Sequence, residues 1–215
     1  MTGPTQDFWK ERFATGTTPW NRGEPNPLLD RWIADGTLAP GNTVIVPGCG
    51  HGWEVASLAQ AGMNVIGIDY AHNALDHCRQ VLASAGRSAE LIDADVLHWQ
   101  PKFPVDAVFE QTCLCALYPD FWGRYAAQLH AWLKPGGKLL ALFMQALRPE
   151  ATHGFIDGPP YHCDINAMRA LLAERLAGNA AGKDFGFITR QKGMFSYFGI
   201  TPEQVTRLRE EFAVY

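Results

Sequence analysis

The chain has 215 residues, enough for one domain with a substantial core and short for two. It carries 18 Lys and Arg against 22 Asp and Glu, a net charge of -4, with no basic run, so neither nucleic acid nor an anionic membrane is expected as a partner. No apolar run is long enough to span a bilayer, the first residues lack a basic-then-apolar signal pattern, and the five cysteines are scattered, so a cytoplasmic site, reduced buried thiols and no metal are expected.

In chain order, the first forty residues precede any strand and hold Trp9, Phe13, Trp20 and Trp32 around the turn-rich "TGTTPWNRGEPNP". From there short apolar runs alternate with helix-period segments. "TVIVP" reads as the first strand, with the helix "WEVASLAQAG" after it, and "NVIGID" as the second, with the helix "NALDHCRQVLASAG". "AELIDAD" and "DAVFEQ" read as the third and fourth strands, "FWGRYAAQLHAWLKPGG" as a helix, and "KLLALFM" as the fifth strand. The alternation predicts an α/β fold, a parallel sheet with helices on both faces.

Between the first strand and its helix stands "GCGHG", where Gly48, Gly50 and Gly52 allow a sharp turn and close approach of a ligand. Asp69 closes the second strand, the place where a carboxylate suits the two hydroxyls of a ribose. The third glycine comes one residue too early for a dinucleotide fingerprint, and Pro47 precedes the first, which counts against a nicotinamide oxidoreductase. In "IDADV", Asp95 can accept from an adenine amino group and Val96 can offer an amide. Singly, the glycines serve as turn formers, Asp69 as a cap for "AHNALDHC", and Asp95 as a solvated loop residue. Placed together at three successive strand ends, they favour S-adenosylmethionine.

"FWKERFATGTTPWNRGEPNPLL", "VIVPGCGHGWEVASLAQAGMNVIGID", "FEQTCLCALYP" and "GPPYHCDINAMRALL" together resemble the thiopurine S-methyltransferase superfamily, in its branch of thiol, thiocyanate and halide methyltransferases, over about residues 5 to 175. The resemblance implies the seven-stranded, Rossmann-like sheet of class I S-adenosylmethionine-dependent methyltransferases with an N-terminal helical lid over residues 1–40. It implies that Trp9 and Trp20 line the cofactor pocket, with Phe13 where relatives often carry tryptophan. Gly48 would abut the cofactor's amino-acid part, Asp69 its ribose, and Asp95 with Val96 its adenine, with Gly50 also among the cofactor-binding residues. Gln111 would face cofactor and substrate where drug-methylating relatives carry arginine, which counts against thiopurine-like acceptors. Phe13, Trp20 and Gln111 would position the reactants, and no acid or base is assigned, because a soft anion attacks a sulfonium methyl without one. The aromatic segment is read as a lid, against the alternative of a fixed hydrophobic plug at the sheet edge.

The family pattern ends near residue 178, and "DFGFITRQKGMFSYFGITPEQVTRLREEFAVY" resembles the small domain of aspartate and aromatic aminotransferases. No pyridoxal-phosphate domain accompanies it. Residues 1–178 are thus expected as the methyltransferase domain, and 179–215 as an atypical tail that offers a surrogate strand hairpin plus a helix. The expected activity is methyl transfer to a small thiol or inorganic anion by a monomer or dimer. The alternative is a non-catalytic S-adenosylmethionine-binding protein disabled by its tail.

Overall fold

The computed structural model of the chain describes residues 3–144 and 158–161. Its centre is set by β1 (Thr43–Pro47), where Val44 and Val46 enter one core and Ile45 the other. Successive strand side chains point to opposite faces, so a run of apolar residues buries both. β4 (Val105–Gln111) does the same, with Ala107 and Phe109 on the first face and Val108 on the second.

β2 (Asn64–Asp69), β3 (Glu90–Asp93) and β5 (Leu133–Leu142) complete a parallel sheet in the order β3-β2-β1-β4-β5. The chain runs outward from β1 to β3 and returns to β4 on the other side of β1. Loops leaving β1 and β4 therefore diverge, and the crevice between them at the carboxyl ends of the strands is where such sheets bind ligands. Five strands of the expected seven lie among the described residues. The proposed 178 boundary, the tail and Cys163 lie outside them.

Helices α2 (Pro27–Ala34), α3 (Trp53–Gln60) and α4 (His72–Ser84) cover the first face through Leu29, Leu58, Leu75 and Cys78. α5 (Trp122–Trp132) covers the second with Tyr125, Leu129 and Trp132. α1 (Gln6–Ala14) lies outside this layer and sets Phe13 against Ala71 and Ala74 at the start of α4. Thr5 and Asn26 cap α1 and α2, each side chain accepting a first-turn N–H, and Pro27 opens α2 where a missing N–H costs nothing. Among the described residues no helix is long and apolar enough to cross a membrane.

Two strands differ clearly from their expected limits: β3 keeps only Glu90–Asp93 of "AELIDAD", which leaves Asp95 in the loop beyond it, and β5 starts early. β5 begins at Leu133, directly after α5, where "LKPGG" reads in sequence as the end of a helix. Leu133 pairs with Val105, and pairing resumes at Lys138 opposite Ala107. The intervening Lys134-Pro135-Gly136-Gly137 is thus a bulge in the strand, a place where proline and glycine are tolerated.

The entry to α3 depends on a glycine. Gly52 has φ 82°, and a Cβ there would stand 2.2 Å from the Cys78 sulfur and 2.9 Å from its Cα. Gly52→Ala should cost about 2 kcal/mol or more, lowering the melting temperature by roughly 4–8 °C. Gly86→Ala, at φ 62° with nothing within 4 Å, should cost only the backbone part, and thermal melts of the two variants separate the terms.

Candidate active site

A cavity of about 430 Å³ occupies the crevice, and Trp9, Phe13, Trp20, Gly48, Gly50, Asp69, Asp95, Val96 and Gln111 line it, while Gly52, the third glycine of the turn, does not. The first three come from the N-terminal segment, the others from strand ends or the turns that follow them.

The turn after β1 is folded onto the end of β2. Cys49 N–H donates to the Ile68 carbonyl at 3.0 Å, and Gly50 N–H to Asp69 Oδ2 at 3.1 Å. Asp69 Oδ1 accepts from Ala71 N–H at 2.9 Å, so this carboxylate also fixes the start of α4. It is 8% exposed. Burial pushes its pKa up to about 6 against the opposing pull of the two N–H donors, and nearby Asp93 adds repulsion. A carboxylate offers about four lone-pair positions, so these two bonds leave capacity for hydroxyl donors. Gly48 (φ 58°) serves a different purpose from the simple clearance of a ligand. A Cβ there would stand 3.1 Å from the Cys113 side chain, so the missing side chain lets β1 and the β4 turn close together.

On the β3 side, Asp95 is bound to its own loop: Oδ1 accepts from Leu97 N–H at 2.8 Å, and Oδ2 lies 2.8 Å from His98 Nδ1. Gln128 of α5 donates to the Val96 and Trp99 carbonyls, which pins this loop beside the cavity.

On the β4 side the backbone is strained. Thr112 has φ 63°, an outlier for a β-branched residue of the kind that clusters at functional sites. Its hydroxyl donates to the Gln111 carbonyl at 2.6 Å, and its own carbonyl accepts from the Cys115 thiol at 3.1 Å. Beneath it Glu110 is fully buried, Oε1 accepting from Leu114 N–H at 2.7 Å, and desolvation pushes its pKa up to about 7. Gln111 Nε2 donates to Glu54 Oε1 at 3.3 Å, an oxygen that also accepts from Asn26 N–H at 3.1 Å.

The roof is aromatic. Trp9 and Trp20 meet edge to face at 5.6 Å, Phe13 and Trp20 at 6.2 Å. Phe13 rests on His51, which stacks on His77 at 5.0 Å, and burial followed by the His77 charge lowers the His51 pKa. Phe13 is buried, while Trp9 and Trp20 keep partial exposure.

Glu54, Tyr70, Thr112, Arg12 and Arg22 also line the cavity and are not singled out by the sequence. Glu54 sits in the first turn of α3, where an acid reads simply as complementing the helix dipole. Among the described residues no cluster of three or more metal-ligating side chains is present.

The model of the thiopurine S-methyltransferase family matches residues 4–184. A probable thiol methyltransferase 2 of Arabidopsis thaliana is 28% identical over 166 residues, 76% of this chain and 70% of that protein. The fold is similar to a magnesium protoporphyrin IX methyltransferase of Synechocystis crystallised with S-adenosylhomocysteine, with a TM-score of 0.58 and 20% identity, covering 79% of this chain and 87% of that one. A separate match reaches an aspartate aminotransferase of Pseudomonas aeruginosa, 51% identical over 51 residues, 24% of this chain and 13% of that one. It falls on the C-terminal segment, as the sequence resemblance implies.

The raised Asp69 pKa has two opposite consequences. Burial opposes the ionised form, so its contribution to stability is full below about pH 4 and is lost as pH rises through about 6. Hydroxyl donors favour the ionised form, so a ligand whose hydroxyls donate to Asp69, with S-adenosylhomocysteine as the probe, should bind fully above pH 6 and lose up to tenfold in affinity per pH unit below it. Calorimetric titration from pH 5 to 8 should show this slope in the native protein, and Asp69→Asn should bind more weakly and flatten it.

Proposed function

The chain belongs to the thiopurine S-methyltransferase family, and from that premise we propose that it transfers a methyl group from S-adenosylmethionine to a small thiol or an inorganic anion such as iodide, thiocyanate or bisulfide. It is an S-adenosylmethionine-dependent methyltransferase by family and fold. The observation that carries the reading is the buried Asp69 carboxylate, held by Gly50 and Ala71 N–H groups at the base of an aromatic-roofed cavity.

The residues present fit the cofactor. Asp69 would accept the ribose hydroxyls with its remaining lone pairs, and Asp95 and Val96 would face the adenine from the pinned β3 loop. Trp9, Phe13 and Trp20 line the cavity, and an aromatic face turned to a sulfonium would attract it by about 0.5–2 kcal/mol. When bound, S-adenosylmethionine supplies an already activated methyl group. The chain's task is then to exclude water and hold the acceptor in line, and positioning can supply several kcal/mol of the barrier. Gln111 presents a neutral amide at the end of β4, without the bidentate clamp that an arginine would offer a larger planar acceptor.

A cofactor-binding protein without turnover is the second reading, favoured by the aminotransferase-like C-terminal match. Binding of S-adenosylhomocysteine with no methylation of any acceptor would select it.

Methyl transfer from labelled S-adenosylmethionine should rank iodide, thiocyanate, bisulfide and thiols above amines and alcohols, whose protons are harder to remove. Robust methylation of an amine or a nucleic-acid base overturns this acceptor class. If the N-terminal segment closes over the cofactor, hydrogen exchange across residues 5–25 should slow on adding S-adenosylhomocysteine. Trp20→Ala should then lower turnover by about tenfold or more, with a melting temperature within about 2 °C of the native value. Equal exchange in both states would make the segment fixed packing.

A further inference from the structure

We propose that Glu54 is the catalytic proton acceptor that lets the cavity methylate neutral thiols as well as ready-made anions. This rests on the thiol-methyltransferase reading above and adds a residue to which that reading gives no part.

The placement follows from the sheet order. Asp69 and Asp95 lie at the ends of β2 and just beyond β3, on one side of β1, so an adenosine held by them occupies that half of the crevice. The half beyond β1, at the end of β4, is left for the methyl acceptor. Glu54 belongs to this half, because its Oε1 is hydrogen-bonded to Gln111 Nε2, the last residue of β4. Asn26 N–H holds the same oxygen, so the carboxyl group is fixed by two donors on one side. Among the described residues no other residue donates to Oε2, and the side chain lines the cavity. A carboxyl with one oxygen anchored and the other uncommitted, on the acceptor side of the crevice, is placed to take a proton.

The other acids of the site are less suited. Each oxygen of Asp69 already serves a backbone donor on the far side of β1, both oxygens of Asp95 are tied to Leu97 N–H and His98, and Glu24 pairs with Arg22 at 3.8 Å, while Glu110 is fully buried and does not line the cavity. Burial raises the Glu54 pKa, offset by its own backbone N–H, by Asn26 and Gln111 and by the nearby Arg22, and the net rise brings the group closer to thiols in basicity. A typical thiol, with a pKa of about 8.5, is mostly protonated at neutral pH and needs such a partner, whereas iodide has no proton to lose.

The step balances. The S–H bond breaks toward Glu54 Oε2, and the sulfur's electron pair forms the new S–CH3 bond. The carbon–sulfonium bond breaks with its electrons going to the departing S-adenosylhomocysteine. The proton on Glu54 passes to water when products leave.

The test compares an alkyl thiol with iodide in the native protein and in Glu54→Gln, which keeps an oxygen for Asn26 N–H. kcat/KM for the thiol should fall by about 100-fold, at least 30-fold further than kcat/KM for iodide. Calorimetric affinity for S-adenosylhomocysteine should stay within about 3-fold of native. Equal losses for thiol and iodide, or a cofactor affinity weakened tenfold, would overturn the proposal and make Glu54 a cofactor-holding or structural group. A thiol-selective loss in His51→Asn but not in Glu54→Gln would overturn it in favour of His51, the other titratable group near the glycine turn. If the native protein methylates neither thiol nor iodide, the acceptor class itself fails, an outcome distinct from any of these.

Discussion

The site hangs on one desolvated carboxylate. Asp69 joins two segments that are far apart in sequence, the glycine turn after β1 and the first residue before α4, through one backbone N–H each. A buried carboxylate is costly unless donors surround it, and its raised pKa shows that two amides compensate only part of that cost. The remaining capacity is what a sugar would use. Under the proposed reading, cofactor binding would complete a hydrogen-bond set that the fold leaves unfinished, while the turn and the helix start already converge on this one carboxylate.

Much of this was legible in the sequence because it rests on period and punctuation. Val44, Ile45 and Val46 announce a strand buried on both faces, and the alternating glycines before Trp53 mark the turn that brings the chain back along a helix. Asp69 closes β2 as the period requires, Asp95 stands two residues past β3, and both line the one cavity. What the sequence hid depends on tertiary contact. The tolerance of β5 for Pro135 and Gly136 comes from a bulge that only pairing with β4 defines. Glu54 gains its meaning from Gln111 and Asn26, which are remote in sequence and meet only once β4 lies beside β1. Thr112 at positive φ has no local sequence signal at all, since glycine or asparagine is the usual sign of that conformation.

The N-terminal segment is neither wholly core nor wholly appendage. Phe13 is buried against α4 and the His51–His77 stack, while Trp9 and Trp20 remain half-exposed around the cavity. Anchoring at one aromatic and partial exposure of two others allows a segment to stay attached while its outer part rearranges. Its C-terminal end is tied down as well: Trp53 Nε1 donates to Asn21 Oδ1 at 2.8 Å, and Glu54 holds Asn26. Any closure over a ligand is therefore confined between two fixed points on α4 and α3.

The thiols around the cavity have a consequence of their own. Cys49, Cys113 and Cys115 all line it, within reach of whatever electrophile it holds. A sulfonium methyl donor alkylates thiolates readily and thiols hardly at all. The Cys113 thiol is raised by burial, and Cys49 by its contact with Cys78 and by burial, both well above the ordinary range, while burial brings Cys115 to about 12. At neutral pH the protonated form dominates at each. The burial that walls the cavity thus also keeps the protein's own sulfurs protonated, and so poorly reactive toward an electrophile held there.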